Sequence, residues 1–202
     1  MNNKDWTGTQ QSIFKTLGAN NHAEHEYEKD GFYATDPIAI DKLRKVFDIP
    51  HDIYEPMCGE GHLSKRLEKF GHNVWSTDLV DRGYGESGVN FFEVDRIDSR
   101  WSILTNPNYK FGMESVIHAL DLVADGRYVI MFLKLQFLEG KKRKVQLYDK
   151  QNPKYIFVSS ERITCALNAD FNRMIKGGGS AVAYGWFVWE KGWKGDTVIK
   201  WM

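Results

Sequence analysis

The residues of this 202-residue chain that could do chemistry fall in a short series of segments: EPMCGEG (55–61), STD (76–78), VD (94–95) and LTNPNYKFG (104–112). In the first, Gly59 and Gly61 stand between a strand-like run and a helical one. Glycines placed there let backbone N–H groups come close to a ligand, because no side chain holds it off. The third glycine of a dinucleotide fingerprint is replaced by Ser64, which argues against an NAD site. Asp78 ends the next strand-like run, where a carboxylate can accept hydrogen bonds from the two hydroxyls of a ribose, and Asp95 ends the one after it. A single acidic residue at a strand end often only closes a loop or caps a helix. Three in succession, Glu55, Asp78 and Asp95, instead mark one sheet edge, the carboxyl edge where open α/β sheets bind ligands. The fourth segment brings Asn106-Pro107-Asn108-Tyr109 to that same edge. It is either an ordinary turn or a loop whose backbone is held so that its amides and aromatic ring face a ligand.

The elements that must position these residues follow from periodicity. Residues 1–30 are polar, with few apolar anchors, and read as a leader; the packed domain is expected over 31–202. Asp36-Pro37 signals a helix start, and Ile38, Ile40, Leu43 and Phe47 give it an apolar face. A strand over 52–55 leads into the Gly-rich turn, and Leu63, Leu67 and Phe70 at helical spacing run to Gly71 as a stop. Strands are expected over 73–78, 88–95 and 101–106, a helix over 113–124, and an apolar strand covered on both faces over 127–137. Further strands are expected over 155–160, 181–192 and 197–202. Alternating strands and helices, then strands alone, predict an α/β domain with an open, mainly parallel sheet finished by an antiparallel strand.

Composition narrows the class. The 27 basic and 27 acidic residues cancel, so no global field draws the chain to nucleic acid or to a membrane. No apolar run approaches the roughly 18 residues of a membrane span, and MNNKDWTGTQ lacks the apolar core of a signal peptide. A soluble cytoplasmic protein is expected. Two cysteines in different surroundings, Cys58 and Cys165, suit a reduced compartment better than a disulfide scaffold.

The segments FYATDP, EPMCGEG, STD, VD and TNPNY, in that order, resemble the S-adenosylmethionine-dependent amino-methyltransferases, above all the small stand-alone DNA adenine-N6 methyltransferases of phages and prophages. The resemblance runs from Phe32 to the carboxyl end, and the order of five elements is more specific than any one of them. It implies a class I methyltransferase fold, Rossmann-like, with a seven-stranded sheet and helices on both faces. It also implies S-adenosyl-L-methionine as cofactor and DNA as partner. Carried over by position, Tyr33 and Thr35 would lie near the methionine part of the cofactor, Thr35 on its carboxylate. The backbone around Pro56, Cys58, Gly59 and Gly61, following Glu55, would pass beneath it. Asp78 would hold the ribose, and Asp95 the adenine amine. Asn106, Pro107 and Tyr109 would form the catalytic loop.

Those residue types suit the chemistry. An exocyclic amine on adenine is a weak nucleophile because its lone pair is delocalised into the ring. The Asn106 side-chain oxygen and the Pro107 carbonyl can each accept one of its N–H groups, which localises the pair and aims it. Tyr109 can stack on a base flipped out of a duplex. No covalent intermediate is required, so neither cysteine need be a nucleophile. Asn108 departs from the family, which usually has a second proline there; asparagine frees the φ and the N–H that proline removes. Loops of this type also serve methyltransferases acting on guanine N2 in RNA and on protein glutamine, and a non-catalytic module of the same fold is the remaining alternative.

Other features carry less. His22, His25 and Glu28 have helical spacing but no fuller ligand set, so no metal site is expected. The run Lys141, Lys142, Arg143, Lys144 is open between a phosphate-contacting loop and a solvated face. The alternation over 182–189 predicts core packing, with Tyr184 or Trp186 as alternative walls of a base pocket. The loops left for target recognition, 141–153 and 168–180, are short, so recognition is either relaxed or supplied by a separate specificity partner.

Overall fold

The computed structural model describes residues 33–163, 165–167 and 182–202, with only the backbone of Tyr33, Ala166 and Leu167. The expected leader, its histidine pair and the loop over 168–180 lie outside the described residues.

The strands are β1 (Tyr33–Thr35), β2 (Asp52–Glu55), β3 (Asn73–Asp78), β4 (Glu86–Ser87), β5 (Ser102–Thr105), β6 (Tyr128–Lys134), β7 (Tyr155–Val158), β8 (Cys165–Leu167), β9 (Tyr184–Glu190) and β10 (Val198–Trp201). The helices are α1 (Ile38–Leu43), α2 (His62–Lys69), α3 (Gly112–Leu122) and the single turn α4 (Lys141–Arg143), which widens into a π-helical turn over Lys144–Tyr148. Eight strands form one sheet in the order β10-β7-β9-β6-β5-β2-β3-β4. Among the described residues of this sheet only β9 runs antiparallel, against both β6 and β7. The chain turns back on itself between β2 and β5, neighbours in the sheet that lie far apart in the sequence. At such a switch point the loops leaving the carboxyl ends of two strands diverge and open a crevice.

The predicted alternation builds the layers. Ile103, Val129, Met131, Phe187 and Trp189 pack against Val116, Ala119 and Leu120 of α3 on one face. Leu104, Ile130, Phe132, Trp186 and Val188 pack against Ile40 and Leu43 of α1 and Leu63 and Leu67 of α2 on the other. Trp186, fully buried, spends its indole N–H on the Ala39 carbonyl at 3.0 Å. β1 and β8 form a separate antiparallel ribbon in which Thr35 faces Cys165.

Three expectations are corrected. The segment over 88–95 is not a strand. Asn90 accepts a hydrogen bond from the Phe92 N–H and donates to Glu93 Oε1, winding Phe91–Glu93 into a 3-10 turn. Local bonds of this kind compete directly with a ladder; β3 is paired instead by the two residues of β4, which precede that segment, and with β10 at the other edge, where a strand over 197–202 is expected, the sheet has eight strands rather than seven among the described residues. The strand over 127–137 ends at Lys134, and Leu135–Leu138 close into a 3-10 turn. The stretch that opens 141–153 is helical rather than an open loop.

Candidate active site

The turn after β2 is organised from below. Glu55 is 2 % exposed, and its carboxyl meets the Ser64 hydroxyl of α2; Ser64 in turn bonds Ser76 of β3 at 2.6 Å. Burial pushes the Glu55 carboxyl up to about 8, against the lowering effect of the Ser64 bonds. Glu55 therefore ties β2, α2 and β3 together inside the protein, and its side chain is not on the crevice surface. Ser64, which displaces the third glycine of a dinucleotide fingerprint, is what makes this tie.

Above it the backbone is bent by Gly59 (φ 56°) and Gly61 (φ 76°), a region that a side chain disfavours. The Gly59 N–H donates to Asp78 Oδ2 at 2.8 Å and the Val80 N–H to Asp78 Oδ1 at 3.0 Å. The half-buried Asp78 thus braces the turn as well as ending β3. Gly61 has a second reason to lack a side chain: a Cβ there would collide with the ring of Tyr84. The Tyr84 hydroxyl donates to Glu68 on α2, which fixes the ring across the start of that helix. Pro56 opens the turn and is buried. Cys58 is buried, and its thiol is pushed up to about 12, first by burial and then by the Glu55 and Asp78 carboxylates. It is the wrong protonation state for a nucleophile.

The loop after β5 is held from the side. Asn106 Nδ2 donates to Thr35 Oγ1 at 2.8 Å, joining the loop to β1 across 71 residues of chain. Thr35 is 3 % exposed, so its hydroxyl is committed to the loop. Pro107 is buried. The Tyr109 hydroxyl lies 3.5 Å from Cys165 Sγ on β8, and its ring centroid is 5.8 Å from that of Tyr184. Burial first, then the Cys165 and Tyr184 side chains, push the Tyr109 hydroxyl well above its ordinary range, so it stays protonated. Tyr184 stacks on Phe132 at 5.4 Å, as a core residue whose edge reaches the site. Cys165 is buried with its thiol raised to about 11, chiefly by burial.

Asn108 has a structural job here. Its φ is −59°, close to the value that a proline ring imposes. Its side-chain oxygen accepts from the Lys110 N–H at 3.1 Å and its carbonyl from the Phe111 N–H at 2.9 Å. The asparagine caps the short turn Tyr109–Phe111 and holds by hydrogen bonds the conformation that proline would fix covalently.

The structure thus gathers Thr35, Asn106, Pro107 and Tyr109 at one point of the carboxyl edge, and Pro56, Cys58, Gly59, Gly61 and Asp78 at the neighbouring one. The backbone of Tyr33 lies in β1; its side chain is outside the described residues. Asp95 is not brought in by a strand end: it stands exposed in the segment leading to β5. In the basic run, Arg143 folds back over the Phe137 ring and donates to the Glu139 carbonyl. Lys142 pairs with Glu114 and Lys144 with Asp149, while Lys141 is simply exposed.

Sequence reasoning passed over four side chains. Leu79 (60 % exposed), Phe92 (43 %) and Phe111 (42 %) are large apolar groups on loops of this edge, the two phenylalanines in edge contact at 6.2 Å. Their neighbours, Asp78 and Tyr109-Lys110, are the signal that could have found the first and the last. Lys134, at the end of β6, places its ammonium 5.0 Å from the centre of the Tyr109 ring.

No protein-family model matches the chain, and none of the curated proteins matches its sequence. Solved structures do match its fold. A Lactococcus lactis protein assigned as a hemolysin superposes with a TM-score of 0.57 at 13 % identity, over 81 % of this chain and 91 % of that one. A Listeria monocytogenes protein assigned to the class I S-adenosylmethionine-dependent methyltransferases gives 0.53 at 13 %, over 96 % and 71 %. A modification subunit assigned to a type I restriction enzyme of Vibrio vulnificus gives 0.53 at 13 %, over 95 % of this chain and 50 % of the subunit, so the chain spans half of that protein's length. At such identities the likeness speaks for the fold alone. With its strand order, its switch point and, among the described residues, one antiparallel strand in the main sheet, the chain has the class I methyltransferase fold.

Proposed function

We propose that this protein is an S-adenosylmethionine-dependent methyltransferase whose acceptor is the exocyclic N6 amine of adenine in DNA. The observation that carries the reading is the Asn106–Thr35 hydrogen bond at the carboxyl end of β5, beside the switch point. With the Nδ2 end of the amide committed to Thr35, Oδ1 is the acceptor end, the polarity that the chemistry needs. Asn106 Oδ1 and the Pro107 carbonyl accept the two amine hydrogens. This draws the nitrogen lone pair out of conjugation and directs it, an arrangement in which preorganised dipoles and orientation lower the barrier. Tyr109, kept neutral, offers a ring face to the base.

The residues of the neighbouring turn fit the cofactor. The glycine-bent backbone of 58–61 permits close approach, the Asp78 carboxylate beside it is half-buried and suited to ribose hydroxyls, and Leu79 supplies apolar surface next to it. Asp95, proposed for the adenine amine, would have to come in from an exposed segment. When bound, S-adenosylmethionine supplies an electrophilic sulfonium methyl. Transfer would break the S–CH3 bond and release the neutral thioether, and the surplus proton of the methylated amine would pass to water; the chain's own work is orienting the amine and engaging its hydrogens until then. The long polar reach from Thr35 to Asn106 makes β1 part of the catalytic loop's support.

The test is transfer from labelled S-adenosylmethionine to unmodified DNA by the purified chain, with calorimetric titration of the cofactor alongside. Label in methyladenine supports the reading. Label in RNA or in a protein glutamine moves the acceptor, and no cofactor binding at millimolar concentration removes the enzyme. The expected cytoplasmic setting and the separate specificity partner belong to the same proposal. No helix among the described residues is long and apolar enough to cross a membrane.

A further inference from the structure

Lys134 closes β6, and its register partner across the ladder is Tyr184, which packs on the same Tyr109 ring as the Lys134 ammonium. It is half-buried. Several other cations have carboxylate partners: Lys42 with Glu161, Arg66 with Asp41, Lys142 with Glu114, Lys144 with Asp149, Lys154 with Glu190. Among the described residues no carboxylate pairs with Lys134. A partly desolvated cation without a counter-charge is costly to keep and draws an anion.

The geometry points to Lys134 as a phosphate-binding residue of the acceptor site. In the free protein its ammonium rests on the Tyr109 ring; when an acceptor base takes that ring, the ammonium moves to a phosphate of the same DNA strand. This inference rests on the reading of DNA as acceptor. Two physical facts favour it. A cation and a stacked base compete for one aromatic face, so the ligand that displaces Lys134 from the ring must leave it another partner, and a flipped nucleotide carries phosphates on both sides. The strand order also separates Lys134 from the cofactor turn: β6 is two strands from β2 and three from β3. The four-carbon stem allows the shift without backbone movement. The basic run over 141–144, by contrast, has three of its four cations engaged within the protein.

The experiment titrates unmodified duplex DNA against the full chain and its Lys134→Met and Lys134→Arg variants across a salt series. Cofactor affinity and Tm are measured on each. The Met variant is expected to weaken DNA binding and to make the slope of log affinity against log salt shallower by about one. The Arg variant should keep the wild-type slope, and Tm and cofactor affinity should not move. An unchanged slope in the Met variant, with wild-type DNA binding intact, overturns the phosphate role. Weakened cofactor binding with unaltered DNA binding also overturns it, assigning Lys134 to a carboxylate on the cofactor instead. A wild-type chain that binds no DNA overturns the acceptor reading together with the inference, so the two failures are told apart. Should the Met variant not fold, Lys134→Gln gives the same readout.

Discussion

The two loops that leave the sheet at its switch point are held by opposite means. The turn after β2 rests on a buried polar stack, Glu55 to Ser64 to Ser76, and on backbone bends at Gly59 and Gly61; its partners are the adjacent strand and the helix it opens. The loop after β5 has no such foundation. Asn106 reaches Thr35, Tyr109 reaches Cys165 and Tyr184, and these partners come from β1, β8 and β9, at sequence distances of 71, 56 and 75 residues. One loop is fixed by backbone geometry, the other by side chains converging from remote elements. Damage to the first should therefore appear as lost stability, and damage to the second as lost chemistry with the fold intact.

Asn106→Ala is the largest expected effect. Removing one preorganised acceptor should lower transfer by about 10²- to 10³-fold, with cofactor affinity still measurable by calorimetry. An active Asn106→Ala protein would end the proposed role of this loop. Next is Gly61→Ala, where an alanine meets both a left-handed backbone and the Tyr84 ring. A cost of about 2–3 kcal/mol is expected, seen as a Tm lower by roughly 5–10 °C. Pairing it with Tyr84→Ala should recover the steric part and leave the backbone part.

Glu55→Gln probes the buried stack through pH. Because the folded-state carboxyl is raised from an ordinary 4.5 to about 8, the native protein binds more protons than the unfolded chain between those values. Its stabilising contribution is complete below about 4.5 and is lost as pH rises toward 8. Wild-type Tm should carry a falling component across that window, and the Gln variant should lack it. A wild-type profile that the substitution leaves unaltered would mean that Glu55 is not buried as described.

The smallest effect belongs to Asn108→Pro. The residue already has φ −59°, so proline trades one capping hydrogen bond for a rigid ring; stability should change by less than about 1 kcal/mol and transfer by only a few-fold. Asn108→Gly, which loses the cap and the restraint together, should be the worse of the two. If proline is worse, the hydrogen-bonded cap is not standing in for it.

Much of the molecule was legible in the residues themselves. Period-two alternation over 182–189 put Trp186 and Val188 on one face and Phe187 and Trp189 on the other, as the two cores require. The run over 73–78 matched β3 residue for residue. Strand 88–95 failed because Asn90 turns the chain locally, a preference that apolar character alone does not reveal. The basic run was equally ambiguous in sequence, since a lysine looks the same whether or not an acid such as Glu114 waits across the fold.

The sequence by itself determined the parallel α/β architecture, the bent glycine turn and the arrival of Asn106, Pro107 and Tyr109 at the carboxyl edge, because periodicity and backbone restriction act between near neighbours. Only the tertiary structure decided that Glu55 turns inward to Ser64, that Thr35 holds Asn106, and that Lys134 lies over Tyr109. Those contacts join residues of different elements, strand to helix, ribbon to loop and strand to loop, and which partner a polar side chain finds depends on what the fold carries to it.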